Sequence, residues 1–394
     1  KGYKVQISTL LEADAARRGL QQQADELREK RNTISTQLKG GRPSDELVAE
    51  SKSIKETLMT IETDLKSADD TYQDLINQVP NILQEDVPRG GEEDSVEIKR
   101  WGEQNSGAVD HLDFATARDW IDFERGSKVA GAKFYYLKGD LALLENAITQ
   151  YALNLVTQKG FTLLTVPALV NSRIAGGTGF APRSSDQSDE YYIEGEDLAL
   201  IATAEIPITG YHADEIIDEA QLPLLYAGYS PSFRKEAGTY GKHNRGLFRV
   251  HQFNKLELYA FTTPEQSRQV HEQILALEEE IWQALGIPYH VINIAAGDLG
   301  APASKKYDIE YWSPVDGIYR ELTSASNCTD FQARNLNIRV RRADGNVEVL
   351  HTLNGTAVSL ARSLVAILEH YQNEDGTLRV PEVLRMYMGN RDIL

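Results

Sequence analysis

The first eighty residues carry two stripes of apolar residues at helical spacing. From Leu10 to Leu38 the stripe follows a 3-4 alternation through four heptads. After Gly40-Gly41-Arg42-Pro43-Ser44, which the interior of a helix would not tolerate, a second stripe runs from Leu47 to Val79. Two helices joined by a short loop must run antiparallel. The pattern therefore predicts a coiled-coil hairpin within residues 1–85, roughly 45 to 50 Å long at a helical rise of about 1.5 Å per residue.

Beyond Pro80 the periodicity changes repeatedly between that of helices and that of strands. Residues 86–107 contain Pro88, Gly90, Gly91 and a run of acids, which predicts a linker, and residues 108–394 are predicted to form a second domain. Helices are expected at Leu143–Lys159, Pro264–Leu285 and Gly355–Tyr371. Strands are expected at Phe161–Pro167, Tyr191–Ile193, Leu198–Ile201, Leu225–Ser230, Leu247–Gln252, Lys255–Thr262, Tyr289–Ile294, Lys306–Tyr311, Tyr319–Ser324 and Asn335–Arg341. Runs of strands with few crossover helices favour an α+β fold built on an antiparallel sheet.

Composition limits the classes of protein that the chain can belong to. There is no run of 18 apolar residues, and the polar segment after Lys1 does not have the pattern of a secretory signal, so we expect a cytoplasmic protein without a membrane span. The absence of a Met before Lys1 also suggests that a leading segment is missing. The single cysteine, Cys328, cannot form an internal disulfide, and with scattered histidines it provides no zinc ligand cluster, so zinc is not expected.

Charge affects how the hairpin is interpreted. Residues 10–42 hold seven Lys and Arg against five Asp and Glu, a balance of +2 in a chain of net charge −18. The overall negative charge argues against non-specific coating of nucleic acid but leaves room for a local contact with phosphates. A hairpin alone also fits a dimerisation coil or a solvated spacer, and Arg17 and Arg31 fall on the apolar stripe. The arm by itself therefore does not decide a function.

The segments most informative about chemistry lie between residues 233 and 257. Phe233-Arg234-Lys235-Glu236-Ala237-Gly238 is followed by a polar loop and then by Arg245 to Phe253 and Lys255-Leu256-Glu257. Alternation predicts Arg234 and Glu236 on one face of a first strand, and Phe253, Lys255 and Glu257 on one face of a second. An arginine on a sheet can bind phosphate through two hydrogen bonds, and a phenylalanine can stack on a purine. These segments predict a nucleotide site without a P-loop.

Two further segments bear on this nucleotide site. Asn354-Gly355-Thr356 is predicted to lead into a helix that carries Arg362 beside its apolar stripe, where a buried cation requires an anionic partner. The cluster Gly176-Gly177-Thr178-Gly179 has neither the spacing nor the Lys-Ser/Thr pair of a phosphate-binding P-loop. The predicted nucleotide site therefore depends on the strand arginine and on the later helix.

At this point the chain resembles the class II aminoacyl-tRNA synthetases, and within them the seryl-tRNA synthetase family. Residues 225–262 resemble motif 2 of that class, residues 354–371 resemble motif 3, and residues 143–167 resemble motif 1, which builds the dimer interface. The marks specific to the seryl family, over nearly the whole chain, are the N-terminal hairpin, Thr203-Ala204-Glu205, Phe233 to Gly238, His251-Gln252-Phe253, Phe331-Gln332-Ala333-Arg334 and Val380 to Arg385.

The resemblance implies site residues position by position. It implies a serine pocket formed by Thr203, Ala204, Glu205, Arg234, Glu257, Asn354 and Thr356. It implies an ATP site formed by Arg234, Lys235, Glu236, Arg249, Val250, Phe253, Glu321, Leu322, Thr323, Ser324 and Arg362. Within these sets Arg234, Arg362 and Glu321 are expected to be catalytic, and Glu321 and Ser324 are expected to bind Mg²⁺ through oxygen atoms.

The implied activity is that of a serine–tRNA ligase. Such an enzyme activates L-serine with ATP and Mg²⁺ to seryl-adenylate and transfers serine to the 3'-terminal ribose of tRNA(Ser), with tRNA(Sec) as a second expected substrate. The resemblance also implies a homodimer whose N-terminal arm binds tRNA. Two other classes remain open: a paralogue that binds RNA without charging it, and a ligase that loads a carrier protein. The sequence departs from the family pattern at Lys235, Thr356 and the loop Thr239–Asn244, which puts the tRNA preference in doubt.

Overall fold

The computed structural model describes residues 1–38, 44–180, 189–236 and 245–394. Within these ranges the chain forms two compact units. One comprises Gly2–Pro80, and the other comprises Asn81–Leu394 together with Lys1. The predicted motif residues Ala237 and Gly238 and the loop Thr239–Asn244 lie outside the described residues.

The first unit is the predicted helical hairpin, formed by α1 (Ile7–Leu38) and α2 (Asp45–Ile76). Contacts between the helices show that they run antiparallel. Arg17 Nη1 lies 3.7 Å from Asp69 Oδ1, whereas Arg28 Nη2, farther along α1, lies 2.9 Å from Glu62 Oε1, nearer the start of α2. Arg17, one of the two arginines on the apolar stripe, places its guanidinium 4.7 Å from the centre of the Tyr72 ring. The coiled-coil prediction is confirmed, although α2 ends at Ile76 rather than at Pro80.

The second unit is built on an eight-stranded sheet with the order β1-β10-β11-β12-β15-β9-β8-β4. Neighbouring strands are antiparallel except for β4 and β8. The strands of this sheet are β1 (Val96–Trp101), β4 (Thr162–Thr165), β8 (Leu224–Phe233), β9 (Gln252–Thr262), β10 (Tyr289–Asn293), β11 (Lys305–Ser313), β12 (Ile318–Thr329) and β15 (His351–Ser359). The expected α+β fold with a mainly antiparallel sheet is confirmed.

Helices and short strands surround the large sheet. The helices are α3 (His111–Ala117), α4 (Phe123–Ala130), α5 (Gly139–Gln158), α6 (Ser172–Thr178), α7 (Glu205–Tyr211), α8 (Ser267–Ala284), α9 (Phe331–Asn335) and α10 (Leu360–His370). The short strands are β2 (Ile121–Asp122), β3 (Tyr136–Leu137), β5 (Leu169–Val170), β6 (Ala199–Leu200), β7 (Ile216–Asp218), β13 (Arg339–Arg341) and β14 (Val347–Val349). Within the described ranges, no helix has the length and apolar character needed to cross a membrane.

Helix α8 packs against the centre of the sheet at a position where only glycine fits. A Cβ atom on Gly355 of β15 would lie 2.3 Å from Ile274 Cγ2 and 2.6 Å from Glu278 Oε1, both on α8. Those distances are shorter than van der Waals contact, so a side chain would push the helix away from the strand. The glycine of the Asn354-Gly355-Thr356 segment therefore lets α8 cover one face of the sheet, while its neighbours in the strand point to the other face.

Four local predictions were wrong, and one of them is the strand Tyr191–Ile193, of which only Tyr192 forms a bridge, to Ala199. Gly355 to Ser359 continue strand β15, which pairs with β9 and β12, so the helix begins only at Leu360. Asn335 ends α9, and only Arg339–Arg341 of that predicted strand pair with neighbours. The predicted strand Leu247–Gln252 is instead a 3₁₀ turn, Gly246–Phe248, followed by irregular chain up to β9. In the case of β15 strand pairing outweighs local periodicity.

The predicted linker, residues 86–107, is largely part of the second unit. Its segment Val96–Trp101 forms β1 and pairs with Tyr289–Asn293 at the edge of the large sheet. The second unit itself begins at Asn81, whose side-chain amide donates to the carbonyl of Cys328 at 2.7 Å. Its proline, glycines and acids predicted a linker, but backbone pairing of Val96–Trp101 with β10 makes that part of the segment a strand.

Candidate active site

One cleft collects most of the predicted site residues. It lies where β8, β9, β12 and β15 approach the start of α10. Its walls are formed by Arg234, Glu236, Leu247, Phe248, Arg249, Val250, Phe253, Lys255, Glu321, Leu322, Ser324, Thr356, Ser359, Ala361 and Arg362. Arg234 and Arg362, which are 128 positions apart in the sequence, therefore face the same cleft.

Arg234 lies at the end of β8, where contacts of its backbone and of its side chain hold it in place. The sequence predicted Arg234 on the face of a strand. Strand β8 ends at Phe233, however, so Arg234 lies just beyond the strand. Its backbone N–H donates to the carbonyl of His251 at 3.0 Å, and its Nε donates to the carbonyl of Ala202 at 3.4 Å. The guanidinium lies 5.3 Å from the centre of the Phe253 ring, close enough for a cation–π contact. These contacts fix a planar cation beside an aromatic ring.

The next two residues point in different directions. Glu236 adopts a φ of 52°, in the left-handed region that side-chain-bearing residues rarely occupy, and its carboxylate pairs with Arg249 in the cleft wall. Lys235 instead lies with its ammonium 5.8 Å from the ring centres of both Tyr191 and Tyr192. The side chain of Lys235 is therefore outside the cleft wall, unlike those of its neighbours, and its predicted contact with ATP has no support from this position.

The opposite end of the cleft holds Arg362, paired with a carboxylate. Arg362 Nη1 lies 3.0 Å from Glu321 Oε1, and its guanidinium lies 5.0 Å from the centre of the Phe248 ring. Desolvation alone would raise the pKa of Glu321, but the charges of Arg362 and Lys306 outweigh it and lower the pKa to about 2. Glu321 therefore stays ionised at every physiological pH.

A β-bulge brings Glu321 and Ser324 to the same cleft. Residues three apart lie on opposite faces of a regular strand. In β12, however, Thr323 pairs with Ile309 and Glu321 pairs with the next residue, Glu310, so Leu322 is an extra residue without a partner. The bulge reverses the alternation, and both oxygen-bearing side chains face the cleft. Their spacing in the sequence alone would have separated them.

A buried layer of polar side chains lies next to the cleft and holds the predicted serine-pocket residues. The carboxylate of Glu205, at the start of α7, accepts hydrogen bonds at Oε1 from Gln332 Nε2 and Asn354 Nδ2, both at 2.7 Å. Lys255 Nζ lies 2.5 Å from Glu257 Oε2 on the same face of β9, as alternation had predicted. All five side chains are buried.

The electrostatics of this layer differ from those around Arg362. Burial and the neighbouring Glu257 carboxylate raise the pKa of Glu205 to about 7, and the hydrogen bond from Gln332 and the charge of Lys255 only partly oppose them. A pocket with two close carboxyl groups and one lysine favours a cationic guest, such as an ammonium group.

Several predicted residues belong to this buried layer rather than to the cleft wall. These are Thr203, Ala204, Glu205, Glu257 and Asn354, whereas Thr323, also buried, alternates with Ser324 and faces the other side of the sheet. Conversely, sequence reasoning assigned no role to Leu247, Phe248, Lys255, Ser359 and Ala361, which form part of the wall. Lys255 could have been found, because its period-two spacing from Phe253 and Glu257 was already noted. No spacing pattern pointed to Phe248, because its segment was predicted to be a strand and is instead a 3₁₀ turn.

A buried histidine fixes the backbone beneath Phe248. The Leu247 N–H donates to His111 Nε2 at 3.2 Å, so the imidazole donates through Nδ1 to Glu369 Oε1 at 3.3 Å. Gly246, in the left-handed region at φ 63°, is required because a Cβ would lie 2.3 Å from His111 Nε2. Asp110, His111 and Glu369 form the one group of potential metal ligands close together among the described residues. Both imidazole nitrogens already have hydrogen-bond partners.

Comparison with known proteins relates this geometry to a family. Residues 1–83 match the model for the seryl-tRNA synthetase N-terminal domain, and residues 190–371 match the class II tRNA synthetase core domain (G, H, P, S and T). The serine–tRNA ligase of Dictyoglomus turgidum is 48% identical over 396 aligned positions, covering 99% of this chain and 93% of that protein. The chain belongs to the seryl-tRNA synthetase family.

Solved structures agree with this assignment. The seryl-tRNA synthetase of Pyrococcus horikoshii, determined in complex with ATP, is 40% identical, with a TM-score of 0.85 over 98% of this chain and 92% of that one. The cytoplasmic serine–tRNA ligase of Naegleria fowleri, determined with AMP, is 32% identical, with a TM-score of 0.81 over 98% of this chain and 91% of that one. The core match spans every cleft residue from Arg234 to Arg362, so this synthetase carries its cleft within the class II core.

Proposed function

We propose that this seryl-tRNA synthetase activates L-serine with ATP in the cleft between Arg234 and Arg362 and transfers the serine to tRNA(Ser). The observation that carries the proposal is the division of charge along the site. Arg234, Arg249 and Arg362 face the cleft, while Glu205 and Glu257 form an acidic layer beside it. A triphosphate needs the first arrangement and the ammonium of an amino acid needs the second.

In this proposal the acidic layer is the serine pocket. Glu205 and Glu257 receive the serine ammonium, and Glu257 with Thr356 receives the hydroxyl, because these two residues lie opposite each other in the pairing of β9 with β15. A pocket whose polar groups are satisfied by a hydroxyl rejects alanine, since those groups would be left unpaired. The remaining proposed contacts to serine come from Thr203, Ala204, Arg234 and Asn354.

The cationic part of the cleft is the proposed ATP site. Arg234 bridges the serine carboxylate and the α-phosphate, and Arg249 and Arg362 bind the remaining phosphates. Phe253 stacks on adenine, with the base edge bound by Glu236 and by the backbone near Val250. Leu322, Thr323 and Ser324 follow Glu321 on β12, and they are the remaining residues proposed to contact ATP.

Glu321 and Ser324 fit a magnesium site. Both present oxygen atoms to the same cleft, and the low pKa of Glu321 keeps its carboxylate available to a hard cation. Two protein ligands are few, which suits an ion that takes its other ligands from phosphate oxygens and water. When bound, the ion would supply further neutralisation of the phosphate charge.

The residues on this site position the reactants and neutralise charge, with no side chain acting as a nucleophile. An oxygen of the serine carboxylate attacks the α-phosphorus, the bond to the bridging oxygen breaks and pyrophosphate leaves. A hydroxyl of the terminal tRNA ribose then attacks the seryl carbonyl carbon and loses its proton, and AMP leaves. Arg234 and Arg362 hold the phosphate in line and stabilise the charge that spreads over its oxygens.

Exchange of labelled pyrophosphate into ATP tests the first step. Exchange is expected with serine and is expected to be at least about a hundredfold weaker with alanine, given the cost of leaving hydroxyl partners unpaired. A folded protein that shows no serine-dependent exchange would favour a paralogue that only binds RNA. Exchange followed by transfer of serine to a carrier protein rather than to tRNA would favour the alternative ligase. A charging assay with tRNA(Sec) transcripts tests whether that tRNA is a second substrate.

The arm is proposed to bind the tRNA through exposed cations. Arg18 pairs with Asp14, and Arg28 pairs with Asp25 and Glu62, whereas Lys30 and Arg31 are exposed on α1. Reversing the charge of Lys30 and Arg31 to Glu should therefore weaken charging by about tenfold or more while leaving pyrophosphate exchange unchanged. Deleting residues 10–79 should abolish charging and spare exchange, and unimpaired charging by either variant would remove the proposed role of the arm.

A homodimer is proposed through α5 and β4, the segment that resembles motif 1. Strand β4 lies at the edge of the large sheet, and Leu143, Leu163 and Leu169 are exposed around it. An exposed edge with apolar side chains invites pairing with another chain. Leu163→Lys is expected to shift the protein to a monomer in sedimentation velocity, whereas the same introduction of a charge at exposed Met386 is not. A monomeric wild type would contradict the proposal.

A further inference from the structure

The side-chain amide of Gln332, next to the proposed serine pocket, uses all of its hydrogen-bonding groups. Gln332, on α9, is completely buried. Its Nε2 donates to Glu205 Oε1 at 2.7 Å and to the carbonyl of Thr178 at 3.2 Å. Its Oε1 accepts from the hydroxyls of Tyr259 and Thr352, both at 2.8 Å. An amide has two N–H donors and two acceptor sites on oxygen, so all four are used.

This pattern permits only one orientation of the amide. A flipped amide would point its oxygen at the Glu205 carboxylate and at the carbonyl of Thr178, which are both acceptors. It would also lose the oxygen that receives the Tyr259 hydroxyl, itself 2.7 Å from Thr209 Oγ1. The network therefore aims an N–H group at Glu205 and holds it there.

The contact affects both the position and the charge of Glu205. The same carboxylate oxygen also accepts from Asn354 Nδ2, so two amides from α9 and β15 hold it from two directions. Donors directed at a buried carboxylate favour its ionised form, whereas its burial and the charge of Glu257 oppose that form. An ionised Glu205 can pair with an ammonium group and a protonated one cannot.

We propose that Gln332 is a positioning residue for serine binding, whose amide keeps the Glu205 carboxylate oriented and charged to receive the substrate ammonium. The proposal rests on the proposed function, because it requires Glu205 to belong to the serine pocket. Gln332 itself need not touch serine. Its expected signature is therefore a change in serine affinity without a matching change in ATP affinity.

Two substitutions of Gln332 test this. Gln332→Glu keeps the shape but replaces the donating amide with an acceptor facing Glu205, and Gln332→Met keeps the approximate volume without hydrogen bonds. The matched control is Asn335→Asp, since the Asn335 amide donates from the same helix to the carbonyl of Gly177 at 3.1 Å, away from Glu205. Kinetic constants for serine and ATP are measured by pyrophosphate exchange, and folding by circular dichroism.

Both Gln332 variants are expected to raise the serine KM by at least about tenfold, the cost of a lost hydrogen bond to a charged group. The ATP KM should stay within about threefold of the wild type, and the control should change neither constant. Serine and ATP KM rising together, or a serine KM like that of the control, would overturn the proposal. If Gln332→Glu does not fold, Gln332→Met alone decides between these results.

A double-mutant cycle separates this inference from the proposed function. In a Glu205→Gln background, Gln332→Glu should raise the serine KM by less than about threefold further, since the new amide at 205 can donate to the new carboxylate at 332. Equal effects in both backgrounds would overturn the coupling. A wild type without serine-dependent exchange, or a Glu205→Gln variant with unchanged serine KM, would instead count against the proposed function or its serine pocket.

Discussion

Replacing Phe248 tests whether an aromatic ring in the cleft wall positions Arg362, the arginine proposed to bind phosphate. The ring of Phe248 is half-buried, with the guanidinium of Arg362 5.0 Å and that of Arg320 5.1 Å from its centre. Arg320 also pairs with Asp316, which holds it independently of the ring. Arg362 instead depends on Phe248 and Glu321 for its position. The change of interest is Phe248→Leu, which keeps apolar bulk but removes the quadrupole of the ring.

The expected size of the effect follows from the exposure of Arg362. A cation–π contact contributes about 0.5 to 1 kcal/mol at an exposed site and about 2 when desolvated. Arg362 retains 22% of its side-chain exposure, an intermediate case, so Phe248→Leu should cost about 1 kcal/mol in ATP binding. That corresponds to about a fivefold rise in the ATP KM. Phe248→Ala also loses packing in the wall and should raise it by about 10- to 30-fold.

The assay is ATP-dependent pyrophosphate exchange at saturating serine. Tyr371→Leu is the control, because the guanidinium of Arg379 lies 5.3 Å from the Tyr371 ring and neither residue lines the cleft. That variant should lose stability without a change in ATP KM. If Phe248→Leu matches the wild type while Phe248→Ala is impaired, apolar bulk rather than the ring positions Arg362. If both match the wild type, Phe248 has no part in phosphate binding.

Other expected outcomes concern the charges and the support of the site. Burial and Glu257 raise the pKa of Glu205 to about 7, so the folded state keeps a proton that the unfolded state loses near pH 4.5. The wild type should therefore lose stability relative to Glu205→Gln between about pH 5 and pH 8. A difference in Tm between the two proteins that does not depend on pH would contradict this. His111→Ala leaves the Leu247 N–H without its acceptor and should cost about 1 to 3 kcal/mol in urea unfolding, whereas a loss below about 0.5 kcal/mol would contradict its supporting role. Glu321→Gln should increase the Mg²⁺ concentration needed for half-maximal exchange by about tenfold, and an unchanged requirement would remove Glu321 from the metal site.

The features predicted best from the sequence are those that depend on neighbouring residues. The heptad stripes predicted α1 and α2 because a coiled coil repeats one local pattern. Period-two spacing likewise placed Phe253, Lys255 and Glu257 on one face of β9. Arg234 and Arg362 were singled out from their own segments and the resemblance added Glu321, and all three face one cleft although no local pattern connects them.

Predictions failed where distant contacts decide the conformation. The strand β15 continues past Gly355 because β9 and β12 pair with it from both sides, which a local helical periodicity does not reveal. The bulge at Leu322 depends on the register with β11. His111 and Gln332 contact Leu247 and Glu205 across 136 and 127 positions, so their roles could be recognised only in three dimensions.

The two glutamates with opposite pKa shifts explain how one cleft can orient two different reactants. Arg362 and Lys306 make Glu321 a much stronger acid, whereas burial and Glu257 make Glu205 a weaker one. The two shifts have different causes, since neighbouring cations dominate at Glu321 and burial dominates at Glu205. Arg234 acts on both glutamates, which places it between the two ends. In the proposed function, serine directs its ammonium toward Glu205 and Glu257, and its carboxylate then faces Arg234 and the phosphates. On this proposal, side chains already in place in the folded cleft orient the serine carboxylate for its attack on the α-phosphorus.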